Sequence, residues 1–143
     1  MHYVWHYAPM SGLPAITASG ALIGSNSGAP GERAMLWFSA HQTWEPTATK
    51  MVRTRAQELV QLTFEQQAQT LGCIRFGLPA EDPRLLDWKA ACDVAGTPRA
   101  TRRALERAGR KQGADPAQWF ATTSAVRLDE LRLQAWGADW QDA

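Results

Sequence analysis

The chain has 143 residues, a usual size for one domain, and at this length it buries enough surface to fold without a metal or a disulfide. Hydrophobic residues make up 45% and charged residues 20%, which is an ordinary globular composition. Lys and Arg total 15 against 14 Asp and Glu, so the net charge of +1 gives no overall reason to expect a nucleic acid or an anionic membrane as partner.

Cysteine content and hydropathy limit the class of protein further. Cys73 and Cys92 are too few for a disulfide framework, and their apolar surroundings predict buried, inert thiols. No apolar run approaches the ~20 residues that span a bilayer. The first ten residues also lack the basic and apolar regions of a signal peptide. We therefore expect a cytoplasmic protein with no membrane partner and no metal.

Periodicity, turn residues and capping signals predict a series of short elements. In chain order they are a strand over 2–7, a helix over 11–20, a loop over 24–33, a strand over 35–40, a turn over 41–46, a helix over 47–51, a strand over 59–62, a helix over 64–71, a strand over 73–78, helices over 83–91 and 98–111, and strands over 119–128 and 131–136. Thr63 with Gln66 has the spacing of a capping box, and Gly20 is suited to end the first helix. This order predicts an α+β fold in one small domain, 1–143.

Seven tryptophans are the unusual feature of the composition. Each brings a large apolar area and an N–H group that needs a partner. Such residues can line a flat ligand slot, but we expect most of the seven to build the core.

His6 is the first candidate site residue, and it stands between Trp5 and Tyr7 on the first expected strand. A histidine there can donate to a ribose hydroxyl or a phosphate, or act as a general acid or base. On residue type alone, an ordinary core or surface histidine is the commoner case.

The segment 36–50 holds the densest group of polar and aromatic side chains. A strand here ends in a polar turn followed by a helix start, a place where many α/β proteins form sites. Ser39, Thr47 and Lys50 are suited to contact hydroxyls or phosphates. Glu45 stands at a helix N-terminus, where the dipole stabilises a carboxylate that needs no function. The segment fits two interpretations, which are ordinary capping of a helix and a functional site.

One segment is strongly basic. It contains Arg99, Arg102, Arg103, Arg107, Arg110 and Lys111 on an expected helix, with Glu106 as the interspersed acid. These positions spread over more than half of the helix circumference, and a solvated face is the usual explanation. A docking surface for nucleic acid or an acidic protein is the alternative. The sequence contains no P-loop, nucleophile elbow or dinucleotide-binding glycine motif.

Three stretches fall in a recognisable order: Val4-Trp5-His6-Tyr7-Ala8, then Leu13 to Leu22, then Met35-Leu36-Trp37-Phe38-Ser39. Over about the first third of the chain, this resembles the start of the ADP-ribosyltransferase fold of the diphtheria-toxin and poly(ADP-ribose) polymerase type. The chain also looks like small uncharacterised bacterial and phage proteins. The resemblance implies a domain with a split, mixed or antiparallel sheet, short helices and an NAD cleft.

The resemblance also implies roles for individual residues. His6 matches the histidine that holds the NAD ribose, and Trp37 stands in the place of the tyrosine that packs on NAD. The implied NAD-binding set is His6, Tyr7, Trp37, Phe38, Ser39, Thr47 and Lys50. The family's catalytic glutamate precedes a late strand, but residues 122–127 here contain no acid. The catalytic candidates are therefore His6, Glu45 and Glu130.

Three functions follow as expectations. The first is an NAD-dependent ADP-ribosyltransferase-like enzyme that modifies a protein or nucleic-acid acceptor. The second is a non-catalytic binding protein or inhibitor that uses a Trp-rich surface or the basic helix. The third is an enzyme that handles RNA phosphates, since a related fold is used for that chemistry. Arg33, Arg53, Arg75 and the basic helix would then matter.

Overall fold

The computed structural model describes residues 2–25 and 31–143, and in these residues the chain forms eleven strands and four α-helices. In chain order they are β1 (Tyr3–Pro9), α1 (Leu13–Ser19), β2 (Ala21–Leu22), β3 (Leu36–Ser39), β4 (Met51–Arg53), β5 (Leu59–Gln61), α2 (Phe64–Thr70), β6 (Cys73–Pro79), β7 (Leu86–Asp87), α3 (Trp88–Ala95), α4 (Arg99–Lys111), β8 (Trp119–Thr122), β9 (Val126–Arg127), β10 (Arg132–Trp136) and β11 (Trp140–Asp142). The mixture of helices and sheet supports the predicted α+β class.

Seven strands form one sheet in the order β11-β10-β6-β1-β3-β8-β7. Every neighbouring pair in it is antiparallel, so the sheet is antiparallel rather than mixed. β1 pairs with β6 along its whole length, from Tyr3 opposite Pro79 to Pro9 opposite Cys73. Two smaller ribbons, β2 with β9 and β4 with β5, lie outside this sheet.

Side chains of β1 alternate between two buried clusters, as the two-residue period of a strand requires. The larger cluster consists of Val4, Ala8, Leu22, Leu36, Phe38, Ile74, Phe76, Leu78 and Val126. The second consists of Trp5, Tyr7, Trp44 and Cys73. Cys73 and Cys92 are both free and buried, as expected, and burial raises the pKa of the Cys73 thiol to about 11.

Arg75 on β6 fastens the C-terminal strands to the middle of the sheet. Its side chain is only 7% exposed, and its guanidinium lies 3.8 Å from the ring centroid of Trp5 and 4.5 Å from that of Trp140. The Nε and Nη2 groups donate to Oε1 of Gln134 at 2.8 and 2.6 Å, and Nη1 donates to the carbonyl of Gln42. Aromatic faces and neutral oxygens thus hold this cation, with no ion pair among the described residues.

Local capping signals in the sequence are confirmed. The Thr63 hydroxyl accepts from the Gln66 backbone N–H at 3.1 Å, and Gln66 Oε1 accepts from the Thr63 N–H at 3.0 Å, which is the predicted capping box. Gly20 ends α1 with a φ of 74°, a left-handed conformation that favours glycine.

Other predicted bounds are wrong. The helix expected over 47–51 is a single 3₁₀ turn, Pro46–Ala48, and Met51 begins β4. The helix expected over 83–91 begins at Trp88, because the Asp87 carboxylate accepts from the Ala90 N–H at 2.9 Å and caps it there. The strand expected over 119–128 divides into β8 and β9, and β11 was not expected.

Within the loop expected over 24–33, Ser25 forms a bridge with Met35, while residues 26–30 lie outside the described residues. In the part of the chain that the structure describes, no helix has the length and apolar character needed to cross a membrane.

We expect Arg75→Met to lower the free energy of unfolding by about 2–4 kcal/mol, because it leaves the buried side-chain oxygen of Gln134 and the backbone carbonyl of Gln42 without their donor. Urea denaturation of both proteins measures this. Arg55→Met, at an exposed position, is the control and should change stability by no more than about 0.5 kcal/mol. Equal effects of the two substitutions would contradict the assigned role of Arg75.

Candidate functional site

The site lies where the central sheet opens between β1 and β3. Among the described residues, these two strands pair at one position, Trp5 opposite Ser39. Continued pairing would place Tyr7 opposite Trp37, but instead the Nδ1 of His6 lies 2.8 Å from the Trp37 carbonyl oxygen. A side chain therefore bonds to β3 where the backbone ladder stops.

This hydrogen bond fixes the chemical form of His6. A carbonyl oxygen only accepts, so Nδ1 carries the proton and the neutral ring keeps its lone pair on Nε2. Burial lowers the pKa of His6 below its ordinary value of 6.5, the Trp37 carbonyl opposes this, and the charge of Lys50 lowers it further. His6 is thus a neutral acceptor at neutral pH.

A pocket of about 410 Å³ opens beside His6. Its walls come from β1, β3, the turn after β3, α3, α4 and β8. The lining residues are Trp5, His6, Tyr7, Trp37, Phe38, Ser39, Glu45, Thr47, Ala48, Trp88, Leu105, Ala108, Gly109, Gln112 and Trp119. Six of these fifteen residues are Trp, Tyr or Phe, and the volume is within the ~300–1,000 Å³ of small-molecule sites.

Three tryptophans pack in a row along one wall. The ring centroids of Trp37 and Trp88 are 5.5 Å apart, and those of Trp88 and Trp119 are 5.0 Å apart. Helix α4 approaches Trp119 closely at Gly109, where an added Cβ would lie 2.6 Å from a ring carbon. A glycine at 109 therefore lets the helix close directly over the ring.

Glu45 is the carboxylate of the pocket, and it is only 6% exposed. Its Oε1 accepts from Ser39 Oγ at 2.9 Å and from Trp119 Nε1 at 3.1 Å. Its Oε2 accepts from the Thr47 backbone N–H at 3.1 Å and from Thr47 Oγ1 at 2.7 Å. Four neutral donors fill the four acceptor positions of the carboxylate, and they join β3, β8 and the 3₁₀ turn.

Most of the sequence-predicted site residues meet in this pocket. Those that line it are His6, Tyr7, Trp37, Phe38, Ser39, Glu45 and Thr47. The candidate base His6 and the candidate acid Glu45 therefore line the same cavity.

Lys50 and Glu130 do not line the pocket. Lys50 is exposed, and its backbone N–H donates to Oε1 of Gln67 at 2.8 Å. Glu130 forms ion pairs with Arg84 at 3.2 Å and with Arg127 at 3.8 Å. Of the two candidate acids, Glu45 is the one that faces the cavity beside His6.

Sequence reasoning missed the far wall of the pocket. It comes from Trp88, Trp119 and one face of α4, with Leu105, Ala108, Gly109 and Gln112. The high tryptophan content was the one feature of the sequence that could have indicated this wall, since four of the seven tryptophans line the cavity. The position of Trp119 beside β3 depends on the pairing of β3 with β8, which a local sequence pattern does not reveal.

Within residues 2–25 and 31–143, neither the two cysteines nor the possible metal ligands form a second centre. Burial raises the pKa of both cysteine thiols, which disfavours a reactive thiolate. In the described ranges, no group of three or more His, Cys, Asp or Glu side chains is placed to hold a metal ion.

We expect acid to destabilise the protein partly through His6. Because the pKa of His6 is lower in the folded than in the unfolded chain, the unfolded state binds more protons as the pH falls below 6.5, and stability falls with it. Urea denaturation near pH 7.5 and near pH 5 should show a smaller acid loss for His6→Gln than for the wild type. His2→Gln, at an exposed histidine, is the control and should behave like the wild type. An identical acid loss in all three proteins would contradict a buried neutral His6.

Neither a family model, nor a curated protein, nor a solved structure gives a significant match to this chain.

Proposed function

We propose that the chain is an NAD-dependent ADP-ribosyltransferase-like protein that modifies a macromolecular target. The observation that carries the proposal is that His6, Trp37 and Glu45 line one pocket. These are the kinds of groups that the resemblance assigns to holding ribose, packing on NAD and supplying a carboxylate.

The residues present fit one end of NAD. Trp37, Trp88 and Trp119 offer flat apolar faces on which a nicotinamide ring can pack. Nε2 of His6 is an acceptor for a ribose hydroxyl. Lys50 does not line the pocket, but its positive charge lowers the pKa of His6 and favours an anionic phosphate nearby.

Each group of this chain has a specific task in the proposed reaction. When bound, NAD supplies an ADP-ribosyl group through cleavage of its nicotinamide–ribose bond. Glu45 places negative potential in a cavity of low polarity, which stabilises positive charge that develops on the ribose. Thr47 is an exposed residue, and rotation of its hydroxyl frees one acceptor position on Oε2 of Glu45 for a ribose hydroxyl. His6 and Trp37 hold the ribose and the ring in orientation.

One observation favours a second candidate, a protein that binds without transfer. All four acceptor positions of Glu45 are filled by Ser39, Thr47 and Trp119. A carboxylate bound in this way also serves as a structural link between strands. In this case the pocket holds its ligand and releases it unchanged.

Isothermal calorimetry with NAD tests binding. We expect heat of binding with the wild type and its loss, or a weakening of at least about tenfold, with His6→Ala, because the ribose loses its acceptor. His2→Ala, at an exposed histidine, should bind like the wild type. Circular dichroism establishes that each variant is folded. No heat with the wild type, or equal binding by folded His6→Ala, would overturn the proposal.

Release of nicotinamide from NAD distinguishes the two candidates. If the chain catalyses transfer, Glu45→Asp should slow release by about 100-fold, because the carboxylate retreats by about 1 Å from the ribose. Glu81→Asp, at an exposed loop position, should leave the rate unchanged. Binding of NAD without nicotinamide release by the wild type, with and without a cell extract as acceptor, would support the binding protein and exclude the transferase.

A further inference from the structure

The charge of the molecule is concentrated on α4. The helix carries a net charge of +5 over Arg99–Lys111, although the whole chain has +1, so the remaining residues sum to −4. The chain is therefore nearly neutral overall, although one helix is strongly basic and the rest of the chain is acidic. Such asymmetry is typical of proteins that bind a polyanion.

The two faces of α4 have different roles. Leu105, Ala108, Gly109 and Gln112 follow the i, i+3, i+4, i+7 spacing of one helix face, and this face lines the pocket. Arg103 and Arg107 lie two positions to either side of Leu105, which places them on the opposite side of the helix. The pocket and the basic face are thus back to back on one element.

The cations of the outer face are exposed and unpaired. They are Arg99, Arg103, Arg107, Arg110 and Lys111. None of them forms an ion pair within the described part of the chain. Arg102 is different, because its guanidinium donates to Asp93 at 2.7 Å and to the Thr97 carbonyl at 2.8 Å. A solvated helix face of ordinary type intersperses acids among its cations, and the single acid of α4, Glu106, is only half-exposed.

The cations also form a row. Arg99, Arg103, Arg107 and Lys111 recur every four residues, which spaces them by about 6 Å along the helix axis. One row of cations can follow one phosphate backbone. Guanidinium planes also stack on unpaired bases, which a duplex keeps within its own stack.

We propose that the outer face of α4 is a docking surface for single-stranded nucleic acid. The row of cations binds the phosphates, and the exposed guanidinium groups stack on bases. Because the opposite face of α4 forms a wall of the pocket, a strand bound on the outer face is separated from the cavity by the helix. A role for this nucleic acid as the acceptor of ADP-ribose rests on the proposed function. The docking itself does not depend on that function.

Fluorescence anisotropy with a labelled single strand of about 16 nucleotides tests the docking without NAD. If four phosphates are contacted, the affinity should fall about fifty-fold between about 50 and 200 mM salt. The double variant Arg103→Gln/Arg107→Gln removes two contacts. Its plot of log affinity against log salt concentration should have a slope that is smaller by about 1.4. If both proteins bind equally in 1 M salt, the double variant should therefore bind about ten-fold more weakly than the wild type at about 200 mM salt.

The control is Lys89→Gln/Arg127→Gln, which removes the same charge from α3 and β9, where both side chains are largely exposed. It should bind like the wild type, and circular dichroism should show all three proteins folded. Equal binding by the α4 variant and the wild type would overturn the proposal. So would tighter binding of the duplex than of the single strand, or equal competition by polyglutamate, which would point to an acidic protein. Because NAD is absent, failure of the proposed function would leave these results unchanged.

Discussion

The hydrogen bond from His6 Nδ1 to the Trp37 carbonyl, 2.8 Å long, determines how the centre of the sheet is built. β1 is fully paired with β6 on one side, but towards β3 its pairing stops after Trp5 and Ser39. The imidazole bonds to the next part of β3 and keeps it near without closing the ladder. This arrangement leaves a cavity between the two halves of the sheet and sets the tautomer of the histidine that faces it.

The rest of the pocket is held together by links between segments that are distant in sequence. Glu45 joins Ser39, Thr47 and Trp119 through neutral donors, and Trp119 in turn supports α4 at Gly109. Helix α4 forms a wall of the cavity and also carries the cations. The same helix therefore contacts both the pocket and anything bound on its outer face. The C-terminal strands are fastened separately, through Arg75.

Short sequence patterns were enough to predict part of this structure. The capping box at Thr63 and the strand carrying Trp37 follow from short patterns, and the resemblance brought His6 and Glu45 together as candidates. The wall formed by Trp119 was not predictable, because it depends on pairing between strands about 80 residues apart. Glu130 is close in sequence to the place where the family's acid is expected, but the positive charge of Arg84 holds it elsewhere.

His6 is a neutral, Nδ1-protonated acceptor that lines the pocket. Nitrogen NMR of imidazole-labelled protein tests it directly, with His6→Gln used to assign the signal among the three histidines. We expect Nδ1 of His6 to be protonated and Nε2 unprotonated at neutral pH, and the Nε2 signal to shift when NAD is added. An imidazolium, an Nε2-protonated ring, or a signal that NAD leaves unchanged would contradict the account.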